Sequence, residues 1–250
     1  MLRFFRQIRQ RLLTNSKFSK YVLYAIGEIV LVVLGILIAL QINNWNENRI
    51  NSRREKVILY SLKSELIINL NELNTDYERT IEFHQATINV YDFIHKKPME
   101  MESMYKDFFK CVQFTYFFPK TSTYETLKSG NLELIRTDSL KEIITDVYET
   151  GFKRIVNKVD TRRNAARLLF PYYQKHFKTK FLKDRDKVGF REYEFMIGVP
   201  NNYTFLLNDP EFETLLVEAI SGRANFLRDY ERTIRNVELC LSQINKYLDK

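Results

Sequence analysis

The chain has 250 residues, of which 45% are hydrophobic, and a formal net charge of +8. Six of its cations lie in the first 20 residues, where there is no Asp or Glu, so the rest of the chain carries only +2. A nucleic-acid-binding protein concentrates Lys and Arg on its folded domain. The charge pattern therefore argues against a nucleic-acid partner, and the length is enough for one sizeable domain.

The first predicted element is the basic tail, residues 1–20. Lys and Arg are enriched on the cytoplasmic side of membrane-spanning helices. The tail therefore predicts a cytoplasmic amino terminus. Its topogenic residues are Arg3, Arg6, Arg9, Arg11, Lys17 and Lys20.

The tail leads into an apolar run at residues 21–42, YVLYAIGEIVLVVLGILIALQI. As a helix rising about 1.5 Å per residue, this run is long enough to cross the roughly 30 Å core of a bilayer. A secretory signal peptide has a shorter apolar core and a small-residue cleavage site, and residues 41–45 offer no such site. We expect an uncleaved signal anchor, with Tyr21 and Trp45 as aromatic anchors near its two ends.

One carboxylate, Glu28, lies inside the predicted span. An ionisable group in lipid is costly unless it is protonated, paired or shielded. Gly27, Gly35 and Ala39 form a ridge with Leu31 at spacings of four, and small residues so placed let two helices approach closely. We expect Glu28 to face a partner helix beside this ridge, in a homo-oligomer or against another membrane protein. The alternatives are a carboxyl that stays near the headgroups or is simply protonated, and a site of proton coupling.

Residues 43–250 predict a helical domain outside the cytoplasm. The chain has only 7 Gly and 5 Pro, and a scarcity of turn residues indicates long helices. Apolar residues recur at threes and fours in residues 59–91 and again in residues 212–248, the second run opening with the helix-start signal Asn208-Asp209-Pro210. The predicted fold class is all-α, with one transmembrane helix continuing into an elongated antiparallel helical bundle.

The segments between the two long helices show weaker signals. Ser122 with Glu125, and Ser139 with Glu142, each have the spacing of a capping box at a helix start. Residues 178–208 are the least regular part, and we expect a loop there with one short helix.

Signs of catalysis are few. The sequence has no HExxH, no GxSxG, no phosphate-binding glycine loop and no CxxC pair. His84 and His95 are eleven residues apart, too far along one helix to share a metal. We therefore expect no enzyme activity, no metal and no cofactor.

Cys111 and Cys240 are the only two cysteines. An extracytoplasmic domain would permit a disulfide between them. Two separately buried thiols are the commoner outcome.

Aromatic residues cluster in residues 108–118 and 170–177. Aromatics at this density usually fill a core. The alternative is an exposed patch that binds another protein.

Two segments, LYAIGEIVLVVLGILIALQINNWNE at residues 23–47 and TSTYETLKSGNLELIRTDSLKEIITDVYE at residues 121–149, resemble an uncharacterised family of single-pass membrane proteins from Bacteroidota. The resemblance covers essentially the full length. It implies a bacterial inner-membrane anchor, a helical periplasmic domain and Glu28 as a recurring feature. It implies no activity.

These observations favour a non-enzymatic single-pass protein whose periplasmic domain is a scaffold, interaction or sensor module. The alternative is a proton-coupled accessory subunit of a membrane transport or motor complex that uses Glu28. Such subunits share the layout of a short cytoplasmic tail, one span with a carboxylate and a periplasmic domain. This likeness is one of layout alone.

Overall fold

The structure is a computed structural model that describes residues 18–97, 99, 102–130, 132–159, 165–181 and 196–249. The chain divides into two compact units, Met1–Lys56 and Val57–Lys250. Five of the predicted topogenic residues lie outside the described residues: Arg3, Arg6, Arg9, Arg11 and Lys17. Lys20 and Tyr21 lie in the first helix.

That helix, α1 (Phe18–Lys96), is the longest element, with 79 residues. Residues 29–40 contain no polar side chain, and every residue from 26 to 50 is exposed. In the described part of the chain, α1 is the one helix long and apolar enough to cross a membrane, and its most apolar window has no buried residue. Exposed apolar surface of this extent is typical of a membrane or protein interaction site.

The second unit adds short helices and one further long helix. In chain order they are α2 (Tyr105–Lys110), α3 (Ser122–Lys128), α4 (Asp138–Asp146), α5 (Lys153–Val159), α6 (Ala165–His176), α7 (Tyr203–Leu206) and α8 (Pro210–Leu248). Short 3₁₀ turns lie at Glu102–Met104 and Leu132–Leu134, and a π-helical turn, Val147–Phe152, joins α4 to α5.

In the second unit, α1 and α8 run antiparallel. The Tyr77 hydroxyl donates to the Glu231 carboxylate at 2.7 Å, and eighteen residues further along α1, His95 contacts Glu213 at 3.1 Å. Eighteen residues forward along α1 thus correspond to eighteen residues backward along α8, which shows that the two helices are antiparallel. The predicted start of α8 is confirmed, because Asp209 caps the helix and Pro210 is its first residue.

The side chains of this unit form two apolar cores. The first core joins α1 to α3, α4, the π-helical turn and the second half of α8, and it includes Leu59, Leu62, Leu66, Leu73, Tyr124, Ile144, Phe152, Tyr230, Val237 and Ile244. The second core joins the end of α1 to α2, α6 and the first half of α8, and it includes Val90, Phe93, Phe108, Leu169, Tyr172, Phe212 and Leu216. In the part of α1 and α8 that lies between the two cores, the buried residues include polar ones. We call this region the polar belt, and it comprises Asp76, Thr80, Thr87 and Arg223, with Thr115 from the intervening chain.

A small sheet corrects the expectation of a purely α-helical fold. Strands β1 (Phe177–Phe181) and β2 (Met196–Pro200) pair antiparallel, with Phe177 opposite Pro200. Gly198 permits this sheet to pack on α6, because a Cβ at this position would lie 2.6 Å from the Tyr173 hydroxyl oxygen. The irregular segment predicted at residues 178–208 thus contains β2 as well as the short helix α7.

Both predicted capping boxes are wrong. The residues that precede α3 and α4 are Thr121 and Thr137, and neither side chain caps its helix. The first backbone donors of α3 bond instead to Glu65 of α1. A partner distant in sequence has replaced the local one.

Candidate interaction surface

Residues 113–121 form an extended segment that follows α2 and the turn at residues 111–112. Exposure alternates along it, with Thr115 and Phe117 buried and Phe114, Tyr116 and Phe118 exposed. A period of two is the pattern of an extended chain with one face on a core. We call the three exposed residues the aromatic strip.

The rings of the aromatic strip touch one another along the surface. Ring centroids of Phe114 and Tyr116 lie 4.4 Å apart, and those of Tyr116 and Phe118 lie 5.9 Å apart. Their exposed fractions are 40%, 52% and 71% from first to last. The three rings therefore form one continuous apolar surface.

The local sequence explains why this segment is extended. Pro119 disfavours helical backbone at the residue before it. On the inner face Phe117 packs its ring edge-on against Phe152, with centroids 5.2 Å apart. The buried ring of Phe117 thus fixes which face of the segment points outward.

Arg223 of α8 holds the start of the segment. Its Nη2 donates to the carbonyl oxygens of Cys111 at 2.6 Å and Gln113 at 2.8 Å. Its Nη1 donates to the Phe83 carbonyl at 3.1 Å and to the Thr87 hydroxyl. Burial lowers the pKa of Arg223 to about 10, so the guanidinium remains charged at neutral pH. One buried cation therefore joins α8, α1 and the segment.

A chain of hydroxyls holds the middle of the segment. Thr80 donates to the Asp76 carbonyl at 2.7 Å, and it contacts the Thr115 hydroxyl at 3.1 Å. Thr115 in turn contacts the Tyr230 hydroxyl at 3.1 Å. Each hydroxyl has a single hydrogen, so Tyr230 donates to Thr115 and Thr115 donates to Thr80. The segment is thereby connected to both long helices.

Two polar residues of α1 hold the far end. Glu72 Oε1 accepts from the Phe118 N–H at 3.1 Å. The Asn69 side chain donates to the Lys120 carbonyl and accepts from the Lys120 N–H, both at 2.8 Å. This reciprocal pair satisfies both backbone groups of one residue.

Glu65 fixes the chain just beyond the segment. Its carboxylate accepts from the Thr123 N–H at 2.8 Å, the Tyr124 N–H at 3.4 Å and the Ser122 hydroxyl at 3.2 Å. The Tyr148 hydroxyl also donates to it, at 2.7 Å. Burial, together with this hydrogen bond, raises the pKa of Tyr148. A buried carboxylate thus orients the amino terminus of α3.

These contacts come from one stripe of α1 with spacings of three and four: Glu65, Asn69, Glu72, Asp76 and Thr80. Three and four residues are the spacings of neighbours on one helix face. The apolar pattern predicted the helix, but this polar stripe beside it was missed. The available signal was a polar residue recurring at helical spacing inside an otherwise apolar face.

Asp76 differs from the other residues of the stripe. Its Oδ2 is buried and has no hydrogen-bond partner among the described residues. Burial, followed by the negative charge of Glu72, raises its pKa to about 7, and Arg79 opposes this shift. A carboxyl group in this state titrates near neutral pH.

Glu28 and the predicted helix-packing residues of the span lie on α1 at exposed positions. Glu28 and Ala39 are exposed. No described atom other than the helix's own backbone lies within 4 Å of a Cβ built on Gly27 or Gly35. Trp45 is 65% exposed, and the Arg49 guanidinium lies 5.5 Å from its ring centroid.

The two cysteines are buried and free. Cys111 belongs to the second core and Cys240 to the first. Burial raises the pKa of each thiol to about 12. Both are therefore unreactive as thiolates at neutral pH.

Polar side chains also lie outside the polar stripe of α1. Within the described ranges, no group of three or more His, Cys, Asp or Glu residues is placed to hold a metal. A cleft of about 200 Å³ lies between the end of α1 and the start of α8. Its polar side chains bond to one another, His95 to Glu213 at 3.1 Å and Lys97 to Asn208 at 2.8 Å.

The described elements define a mostly helical protein with one long, exposed apolar helix and an aromatic surface fixed by buried polar side chains. The chain belongs to a family of unknown function, DUF6090, whose model matches residues 28–214. The match includes the aromatic strip and the polar stripe of α1. No curated protein and no solved structure matches the chain.

Proposed function

We propose that the protein is a non-enzymatic, membrane-anchored interaction module that acts as a scaffold or sensor. Residues 21–42 cross the bacterial inner membrane once, with the amino terminus in the cytoplasm. Residues 43–250 form a periplasmic helical bundle that presents the aromatic strip to another protein. The observation that carries the proposal is the aromatic strip, three exposed rings on a segment fixed by buried polar groups.

Exposure along α1 supports the anchor. A core helix of a soluble protein buries its apolar residues, whereas the most apolar window of α1 has none buried. Lipid or a partner helix would cover these side chains. No backbone N–H or C=O group would lose its partner, because the hydrogen bonds of a helix are internal.

The way the strip is held supports a role in binding. Aromatic residues are enriched among those that contribute most to binding free energy. A surface that is ordered before binding loses less conformational entropy when the complex forms. Arg223 and Asn69 supply that order by bonding to the backbone at the two ends of the segment.

The size of the strip favours a short segment of a partner protein as its occupant. At exposed fractions of 40–71%, three aromatic rings offer roughly 250–400 Å² of open surface. A stable complex of two folded proteins buries about 800 Å² on each side. A short extended or helical segment matches the smaller area, and the anchor adds affinity by raising the local concentration of the partners.

The ridge of the span supports self-association. Gly27 and Gly35 have open space around them, and such ridges permit close helix packing in membranes. A second copy would cover the ridge and shield Glu28, which lies beside it. We therefore propose a homo-oligomer joined through the span.

Photo-crosslinking tests the interaction role. Benzoylphenylalanine placed at Phe118 should give a discrete crosslinked product in intact cells. The matched control is Leu239, a 52% exposed apolar residue of α8, which should give none. Equal products at both positions, or none at Phe118, would contradict the proposal.

Proton coupling is the second candidate, because Glu28 is the one carboxylate of residues 21–42. The variant Glu28→Gln can still form hydrogen bonds but cannot ionise. A variant that still assembles but no longer restores function to cells lacking the protein would favour proton coupling. A preserved phenotype would leave the interaction module as the better proposal.

A further inference from the structure

The polar belt contains a carboxyl group whose position suggests control of the aromatic strip. Asp76 is 4% exposed, and its Oδ2 has no hydrogen-bond partner among the described residues. An ionised carboxylate in such a place is costly, whereas a neutral carboxyl group is tolerated. The protonation state of Asp76 therefore affects the free energy of its surroundings.

The backbone of Asp76 is part of the hydroxyl chain that holds the strip. Its carbonyl accepts from Thr80, which contacts Thr115, which contacts Tyr230. Thr115 lies between two residues of the strip, Phe114 and Tyr116. Two consecutive hydrogen bonds thus join the backbone of Asp76 to Thr115, and a third joins Thr115 to α8.

The charged and titratable groups facing Asp76 come from both long helices. Glu72 and Arg79 lie on α1, and Tyr230 faces Asp76 from α8. Arg79 Nε is also buried without a hydrogen-bond partner among the described residues. The extended segment contributes only the uncharged hydroxyl of Thr115 to this network. Glu72 favours the protonated form of Asp76 and Arg79 favours the ionised form, so the two can be altered in opposite directions.

We infer that loss of the Asp76 proton loosens the aromatic strip, which makes the protein a pH-responsive interaction module. When the proton leaves to solvent, the carboxylate requires a donor. Of the hydroxyls in the network, that of Tyr230 faces Asp76 from α8, and it is already donating to Thr115. A hydroxyl that donates to Asp76 no longer donates to its neighbour in the network. The middle of the extended segment then loses a hydrogen bond that connects it to the long helices.

The direction of the effect follows from the raised pKa. Asp76 has a folded-state pKa of about 7 against an ordinary value of 3.8. Its contribution to stability is therefore complete below the ordinary value and is lost as the pH rises through about 7. The aromatic strip should be rigid at acidic pH and more mobile at mildly alkaline pH. This inference rests on the proposed role of the strip in binding.

A spin label at residue 118 measures the effect without a partner. The variant Phe118→Cys adds one exposed thiol, while Cys111 and Cys240 are buried, so labelling is selective. In the full-length protein in lipid nanodiscs, the label should become more mobile between about pH 6 and pH 8. The variant Asp76→Asn keeps a neutral side chain and should show an immobile label throughout. Mobility that does not change with pH in the otherwise wild-type protein, or changes equally in Asp76→Asn, would overturn the inference.

Two further variants keep the test decisive if Asp76→Asn fails to fold. Glu72→Gln should lower the midpoint of the mobility change by about one pH unit, and Arg79→Gln should raise it. The matched control Glu78→Gln, at an exposed position of the same helix, should leave it in place. Midpoints that do not move in opposite directions, or that move as much in the control, would overturn the inference. Crosslinking at residue 118 remains the separate test of the interaction role, so failure of one proposal is distinguishable from failure of the other.

Discussion

Two stretches of α1 use helix surface in opposite ways. Residues 26–50 expose a largely apolar surface, whereas residues 65–87 bury polar side chains such as Glu65, Asn69 and Thr87. In the first stretch the described residues leave the apolar groups exposed. In the second, Glu65, Asn69, Thr80 and Thr87 bond to backbone or side chains of the same chain. Three buried atoms of this stretch have no partner among the described residues: Asp76 Oδ2, Arg79 Nε and His84 Nδ1. Burial alone therefore does not identify function, and the useful observations are exposed apolar surface and buried polar groups.

The largest effect should come from removing the central cation of the polar belt. The variant Arg223→Met removes the guanidinium donor from four oxygen acceptors, three of them in buried contacts and the Gln113 carbonyl in a partly buried one. We expect the free energy of unfolding to fall by about 3–5 kcal/mol. Urea denaturation followed by circular dichroism measures it. The control Arg232→Met removes an exposed arginine of the same helix and should change stability by less than about 0.5 kcal/mol. Similar losses in both variants would show that the belt has no special role.

The next largest effect should come from Glu65. The variant Glu65→Leu leaves the N–H groups of Thr123 and Tyr124 and the Tyr148 hydroxyl without their acceptor. We expect a loss of about 2–4 kcal/mol in the same denaturation experiment. Faster backbone hydrogen exchange confined at first to α3 would show that the loss begins at its amino terminus. An unchanged denaturation midpoint would contradict the assigned role of Glu65.

A smaller effect is expected in the exposed stretch. The variant Gly35→Leu fills the ridge of the span and should weaken self-association by about 1–2 kcal/mol. Resonance energy transfer between labelled copies in lipid vesicles measures it. Val33→Leu changes a residue off the ridge and should have no effect. Equal energy transfer in wild type and Gly35→Leu would mean that the ridge is not the contact.

The smallest effect is expected where α1 ends. The bond from His95 to the Tyr91 carbonyl, followed by its contact with Glu213, raises the pKa of His95. Its charged form therefore adds stability at low pH, and this contribution is lost as the pH rises through the raised pKa. The variant Glu213→Gln should lower the pKa of His95 only partly, because the Tyr91 bond remains. A nuclear magnetic resonance titration of the three histidines measures it, and an unchanged pKa would mean that Glu213 contributes nothing.

The sequence predicted the features that depend on local periodicity. The two long helices follow from apolar residues at threes and fours, and the start of α8 follows from Asp209 and Pro210, which act within one turn. The length and composition of residues 21–42 likewise predicted a helix able to cross a membrane.

Features that depend on partners distant in sequence were not predicted. Ser122 has the spacing of a capping residue, but Glu65, fifty-seven residues earlier, binds its hydroxyl and the donors beside it. The strands at residues 177–181 and 196–200 are too short for their pairing to be evident from either alone. The aromatic cluster at residues 108–118 had two interpretations, core packing and an exposed patch. The sequence could not decide between them, because exposure depends on where Phe117 and Thr115 pack.

The most direct test of the account is the mobility of the strip itself. A spin label at Tyr116→Cys lies in a segment without regular secondary structure, and an ordinary surface loop there would be mobile. Below about pH 6, where Asp76 is mostly protonated, we expect motion as slow as that of a label at Leu239→Cys on α8, and a marked increase when Asn69→Ala removes the bonds to Lys120. A label at residue 116 that already moves freely at that pH in the otherwise unaltered protein would contradict the claim that buried polar side chains hold this surface in place.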